Sequence, residues 1–219
     1  MTSFGAIIGD LWPKIWGLIS IRRGNTPIDD FAKLQDFVAT RSAYVGQKTL
    51  YSYVKARMGI RYPAMFANDK VMASLNIAKM HVFAGCLSDL TIHAVGVALH
   101  DQPVGNDERQ AMALRCYEHG LQGNAAAAPA EFSVQDSISE FTNRAAATDW
   151  RVAARAPENF TASPKALYRW APIAEELKKF DAVIVANSMK FAWRDILEQF
   201  HKRIDPAAVA ADWARQPGN

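Results

Sequence analysis

Two cysteines are all that the 219-residue chain holds, Cys86 and Cys116, and neither stands in a Cys-x-x-Cys pair. That removes the cysteine framework of a structural zinc site and the dense bridging of a disulfide scaffold. One disulfide is arithmetically available, but two reduced, partly buried thiols are the expectation, because free cysteine is among the most buried residue types. No run of residues alternates apolar and polar between turn signals, so no sheet is expected. Also missing are a Gly-rich phosphate loop, a Gly-x-Ser-x-Gly elbow and any internal repeat at solenoid periods. The longest weakly polar run, 82–99, is interrupted by Ser88, Asp89, Thr91 and His93. A single aspartate at a bilayer centre costs roughly 2.5–3.5 kcal/mol, so a buried core helix is expected there rather than a membrane span. Near the N-terminus, Asp10 interrupts the apolar stretch, and Arg22 and Arg23 follow it rather than precede it. That is the reverse of an export signal, and a cytoplasmic protein is expected.

What is present is ordinary globular material: half the residues are apolar, 21% are charged and the net charge is +3. Such a composition suits one domain with a sizeable core. A balance this mildly basic permits an anionic partner without demanding one.

Helix punctuation is the dominant signal. Thr26-Pro27 sets a capping hydroxyl before a proline, with Asp29 and Asp30 in the first turn. The pattern runs on to Gly59, a left-handed stop, and predicts a helix over 27–58 with Ile28, Phe31, Leu34, Val38 and Val45 on its apolar face. A second helix is expected over 69–100, opened by Asn68 or Asp69 and ended before Pro103 and Gly105. It is apolar nearly all round, which marks it as the central helix. Pro172 opens a third over 172–203, with Ile173, Leu177, Phe180, Ile184 and Phe191 as its buried stripe. Shorter helices are expected over 107–121, capped by Asn106, and over 134–148 behind Ser133-x-x-Asp136, a variant capping box. Two more follow, behind Ser163-Pro164 and behind Asp205-Pro206, while 123–129 reads as a linker. The fold class is therefore all-α, a helical bundle or orthogonal array built on three long helices, with one domain over 25–219 and an arm over 1–24.

The arm places Phe4, Ile7, Ile8, Leu11, Trp12, Ile15 and Ile19 on one helical face, carries Trp16 as a second indole, and ends in Arg22 and Arg23. Indole sits at the headgroup level of a bilayer and arginine meets anionic lipid, so attachment to a membrane surface or to a partner is one expectation. Packing on its own bundle is the alternative. Pro13 bends a helix at its middle, and the glycines weaken it.

Chemistry concentrates on the central helix. Lys79, Cys86, Asp89, His93 and His100 share about a quarter of its circumference. Asp89 and His93, one turn apart, are placed to touch, and a carboxylate beside an imidazole prepares a general base. Cys86 and His93 lie two turns apart, about 10 Å along the axis, too far for proton transfer. Glu198-x-x-His201 has the spacing of a carboxylate-bridged di-iron bundle, but it occurs once where two copies are needed, so Glu198 and His201 are weak metal candidates and no cofactor is expected. Ser52-x-x-Lys55 matches a penicillin-binding motif whose Ser-Asp-Asn and Lys-Thr-Gly companions are absent. Lys48, Tyr51, Tyr53, Lys55, Arg57, Arg61 and Tyr62 form the densest basic and aromatic cluster, an anion-binding candidate, although nucleic acid is not the expected partner.

The stretches TRSAYVGQKTLYSYVKARMGIRYPAMF, NIAKMHVFAGCLSDLTIHAV and RWAPIAEELKKFDAVIVANSMKFAWRDI resemble a family of alphaproteobacterial helical proteins, some of which carry the label esterase. The resemblance spans most of the chain, implies a helical fold and supplies no catalytic residues. Leu50-Tyr51, Arg57, Pro63, Phe66 and His81-Val82-Phe83 are also similar to ubiquinol–cytochrome c chaperones, without the Val-Pro-Asp-Thr and Gly-Arg-Phe expected between those landmarks. That likeness implies a helical assembly factor.

The expected function is thus a non-enzymatic helical protein, of adaptor or assembly-factor type, binding a protein partner or a second copy at or near the cytoplasmic membrane surface. Its attachment residues are Phe4, Ile8, Leu11, Trp12, Ile15, Trp16, Ile19, Arg22 and Arg23. The alternative is a hydrolase or metal-dependent enzyme working from Asp89 and His93 on the central helix.

Overall fold

A computed structural model describes residues 26–155 and 159–216 of the chain. The first long helix, α1 (Phe31–Met58), is opened by Asp30, whose side chain accepts a hydrogen bond from the Lys33 amide at 2.6 Å. The expected start at Thr26-Pro27 is therefore corrected. Ile28 is instead extended: its N–H donates to Arg203 O at 2.8 Å, and its carbonyl accepts from Asp205 N–H at 2.9 Å. Pairing with a distant segment satisfies both backbone groups and buries Ile28 completely, which outweighs an extra turn of helix. The stop at Gly59 is as expected: it has φ 55, a left-handed value that disfavours any residue with a Cβ. A 3-10 turn (Gly59–Arg61) and the short α2 (Tyr62–Phe66) lead to Asn68, whose side chain caps α3 (Asp69–Ala98) through the amides of Lys70 and Val71.

The middle of the bundle is α3. It packs on α1, α4 (Asn106–Ala125), α6 (Ala162–Trp170) and α9 (Pro206–Ala214), and its buried residues lie on every face. It is long and apolar enough to cross a membrane, and 83% of its most apolar window is buried inside the fold. Gly105 rather than Asn106 caps α4, which extends past Leu121 into the first residues of the expected linker and ends at Ala125. Ser133 caps α5 (Val134–Ala146) through Asp136 N–H, and Asp205 caps α9 through Ala208 N–H, as their sequences indicate.

The expected third long helix is broken. A single turn, α7 (Glu175–Lys178), precedes α8 (Ala182–Arg203), and Asp181 sits at the joint. The buried Asp181 carboxylate accepts hydrogen bonds from Tyr53 Oη at 2.7 Å and Arg57 Nε at 2.6 Å, and it pairs with Arg57 Nη2. Lys178 is buried beside it, donates to Arg169 O at 3.3 Å and pairs with Glu175 at 2.8 Å. These ties to α1 and α6 hold the joint, and they set which side of α8 faces inward.

That side is not the expected one. Val185, Met189, Trp193, Ile196, Leu197 and Phe200 are buried. Of the predicted stripe, only Ile173 packs against the core, while Leu177, Phe180, Ile184 and Phe191 face solvent. Both sides of α8 carry apolar residues at helical spacing. The winning side holds Trp193, whose buried indole N–H finds an acceptor in Ser163 Oγ at 3.2 Å.

Candidate functional site

Asp89 and His93 are both buried on α3, but they do different things. Asp89 Oδ1 accepts from Arg144 Nη2 at 2.6 Å and from the amides of Thr161 and Ala162, and Oδ2 accepts from Ser163 N at 2.7 Å and Ser163 Oγ at 2.6 Å. These are the orphan amides at the start of α6, which has no capping side chain of its own. The carboxylate of one helix thus caps another, and Arg144 balances its charge. Arg144 also reaches Ser88 Oγ at 2.6 Å and Asn159 O at 3.2 Å. Through Trp193, Ser163, Asp89, Arg144 and Ser88 the network joins α8, α6, α3 and α5.

The expected contact between Asp89 and His93 is corrected, since every hydrogen bond given to Asp89 comes from α5 or from the start of α6. His93 lies among the rings of Phe160, Phe200 and His201 at 5.3–5.8 Å, and neither of its nitrogens makes a hydrogen bond of ordinary geometry. Burial pushes the imidazole down to about 4, His201 adds to that and the Ala153 backbone opposes it. A base wedged among aromatic rings, away from its carboxylate, lacks the geometry for general-base catalysis. His100 is exposed past the end of α3, Lys79 is half-buried, and Cys86 and Cys116 are separate buried thiols. Burial, opposed by Thr91, pushes the Cys116 thiol up to about 12, so it holds its proton.

The other motifs disperse. Glu198 pairs with Lys202 on the surface at 2.6 Å, while His201 turns to the His93 ring, so the weak metal pair is not brought together. No group of three or more metal-ligating side chains occurs among the described residues. Of the basic cluster, Arg57 and Tyr53 are taken up by Asp181, Lys55 lies 4.6 Å over the Tyr62 ring, and Tyr51 stacks on Phe66. Ser52 is exposed in the body of α1. The attachment residues Phe4, Ile8, Leu11, Trp12, Ile15, Trp16, Ile19, Arg22 and Arg23 lie outside the described residues.

Two features emerge that local sequence signals did not flag. The first is a cleft of about 280 Å³ between α5 and α6, floored by α3. α5 leans mainly on α4 and α6 mainly on α3, so the two flanking helices hardly meet. Gly85 lets α6 come this close to α3, because a Cβ there meets Ala166 Cβ at 2.9 Å and Ala162 O at 3.0 Å. One wall is the His81 ring stacked on Trp170 at 3.4 Å, and Tyr117 stacked on Phe141 at 4.0 Å lines the cleft too. Burial, with Arg169 alongside, pushes His81 down to about 4, so the stack carries no charge at neutral pH.

The second feature is the outer face of α8 together with the turn before it, which holds Phe180. Phe180 is 81% exposed, Val183 69%, Phe191 68% and Ile184 59%. Lys179 lies 4.8 Å over the Phe180 ring, and Arg194 lies 5.5 Å over the Phe191 ring.

Comparison of the chain with protein-family models, with curated proteins and with solved structures finds no match.

Proposed function

We propose that this chain is a non-enzymatic helical binding protein, of adaptor or assembly-factor type, that docks a partner at or near the cytoplasmic membrane surface. The observation that carries the reading is the outer face of α8 with the turn before it, where Phe180 in the turn and Val183, Ile184 and Phe191 on the helix all stand more than half exposed. Isolated exposed apolar residues are normal, but a run of them rimmed by polar groups marks an interaction surface. Burying one such side chain contributes roughly 1.5–3 kcal/mol, so this face supplies a substantial driving force for association. The cations over Phe180 and Phe191 add affinity for an acidic partner or an anionic lipid headgroup. The amphipathic sequence of the arm and the likeness to assembly factors point the same way. Against an enzyme stands the use of Asp89 as a cap and the burial of His93 among rings.

Vesicle flotation and light scattering of the full chain test this. The parent is expected to float with vesicles containing anionic phospholipid, or to self-associate, and Phe180→Ser/Phe191→Ser is expected to reduce either by at least fivefold at unchanged stability. Removal of residues 1–24 is expected to lower flotation further. A parent that stays monomeric in the soluble fraction, or a double variant indistinguishable from it, overturns the reading.

A further inference from the structure

We infer that the cleft between α5 and α6 binds a small organic anion, with a planar apolar body on the α3 floor and its charged group between Lys165 and Arg169. The charge count comes first. Lys165 and Arg169 lie one helical turn apart on the cleft side of α6, and neither belongs to any ion pair among the described residues. Arg144 also lines the cleft, but its charge is balanced by Asp89 at 2.6 Å. Glu140 on α5 is the opposing carboxylate. Two unpaired cations against one carboxylate leave an excess of one positive charge at the mouth, which selects a monoanion.

Shape and surface decide the rest of the ligand. Ala84 and Gly85 of α3 and Ala166 of α6 line the base of the cleft with small side chains and no charge, an apolar surface for the body of the ligand. The His81–Trp170 stack forms one wall, and the exposed Arg169 guanidinium lies 5.2 Å over the Trp170 ring at the edge of that wall. The buried hydroxyl residue Ser137 adds a polar contact from α5. A cleft of about 280 Å³ is at the low end of small-molecule sites, which excludes a nucleic-acid strand or a peptide helix. A bare inorganic anion leaves the apolar floor unused. An uncharged body leaves both cations without a partner.

The probe is 2-naphthoate, with the isosteric and uncharged 2-naphthamide and inorganic phosphate as comparisons, read by calorimetric titration of the full chain. Naphthoate is expected to bind one to one, at least fivefold more tightly than the amide or phosphate. Lys165→Gln/Arg169→Gln is expected to weaken naphthoate at least fivefold and leave the amide unchanged. Both side chains are exposed, so the fold is retained, which the thermal unfolding midpoint verifies. Glu140→Gln is expected to tighten naphthoate two- to threefold, as removal of the opposing charge requires. No saturable naphthoate binding, equal binding of the amide or of phosphate, or an unaffected double variant overturns the inference. None of these outcomes bears on α8, so the partner reading stands or falls separately.

Discussion

Asp89 shows how a residue that looks chemical in sequence becomes structural in three dimensions. A buried carboxylate that receives a guanidinium, three amides and a hydroxyl is fully engaged, and removing it leaves Arg144 uncompensated and the α6 amides without acceptors. Asp89→Ala is expected to cost about 3–5 kcal/mol, and Ser163→Ala about 1–3 kcal/mol, in urea unfolding. A loss below 1 kcal/mol for Asp89→Ala would contradict the capping role. His93 makes a separate prediction for pH. An unfolded imidazole titrates near 6.5, whereas the buried one is held at about 4. Between those values the unfolded chain takes up a proton and the folded chain does not. The His93 contribution is therefore intact above 6.5 and is lost as pH falls toward 4, by on the order of 3 kcal/mol. His81, also held at about 4 by burial and by Arg169, acts in the same direction. Asp30 and Asp212, held below the usual carboxylate range by hydrogen bonds from the Lys33 and Phe31 amides, act at still lower pH. In His93→Phe the dependence of the urea midpoint on pH between 6.5 and 4 is expected to flatten by about one proton.

At the scale of elements, the cleft exists because α6 is drawn onto α3 while α5 is drawn onto α4. Gly85 is the hinge of that arrangement. A methyl group there falls 2.9 Å from Ala166 Cβ, a fixed atom, so α6 must shift. Gly85→Ala is expected to cost about 1–3 kcal/mol despite its better helix propensity. Gly123, in α4, has nothing within 4 Å of an added Cβ, and Gly123→Ala is expected to stabilise by about 0.5–1 kcal/mol. Opposite signs for the same chemical change separate packing from propensity, and matching signs would refute the packing argument. The cap at Asn68, the stop at Gly59 and the caps at Ser133 and Asp205 were legible in sequence because each is a contact within a few residues. The start of α1 and the joint at Asp181 were not, because their decisive partners, Arg203 for Ile28 and Arg57 for Asp181, are more than a hundred residues away.

Over the whole molecule, the two ends of the described chain clasp each other. Besides the pairing of Ile28 with Ile204, Phe31 N–H donates to Asp212 at 3.0 Å, and the Phe31 and Trp213 rings meet at 4.8 Å with Arg115 over both. This closes the bundle at one end and fixes α9 against α1 and α3. Trp213→Ala is expected to cost about 3–5 kcal/mol in urea unfolding and to speed amide exchange at Ile28 and Asp205, both of which donate within the clasp. Unchanged exchange at those two amides would show that the clasp holds without Trp213.

Apolar spacing and local caps were enough to determine an all-α fold, its central helix and most helix boundaries, because those features depend on neighbours within one or two turns. Which surfaces stay open was decided only by tertiary packing. Two apolar stripes on α8 were equivalent in one dimension until Asp181 and Trp193 found partners on other helices. Asp89 and His93 shared a helix face, yet the start of α6 claimed the carboxylate and aromatic rings enclosed the imidazole. The cations of the cleft came together with its floor only when helices distant in sequence were laid side by side. Local periodicity dictates where a helix runs, but which of its faces remains open depends on competition among long-range partners that no window of sequence contains.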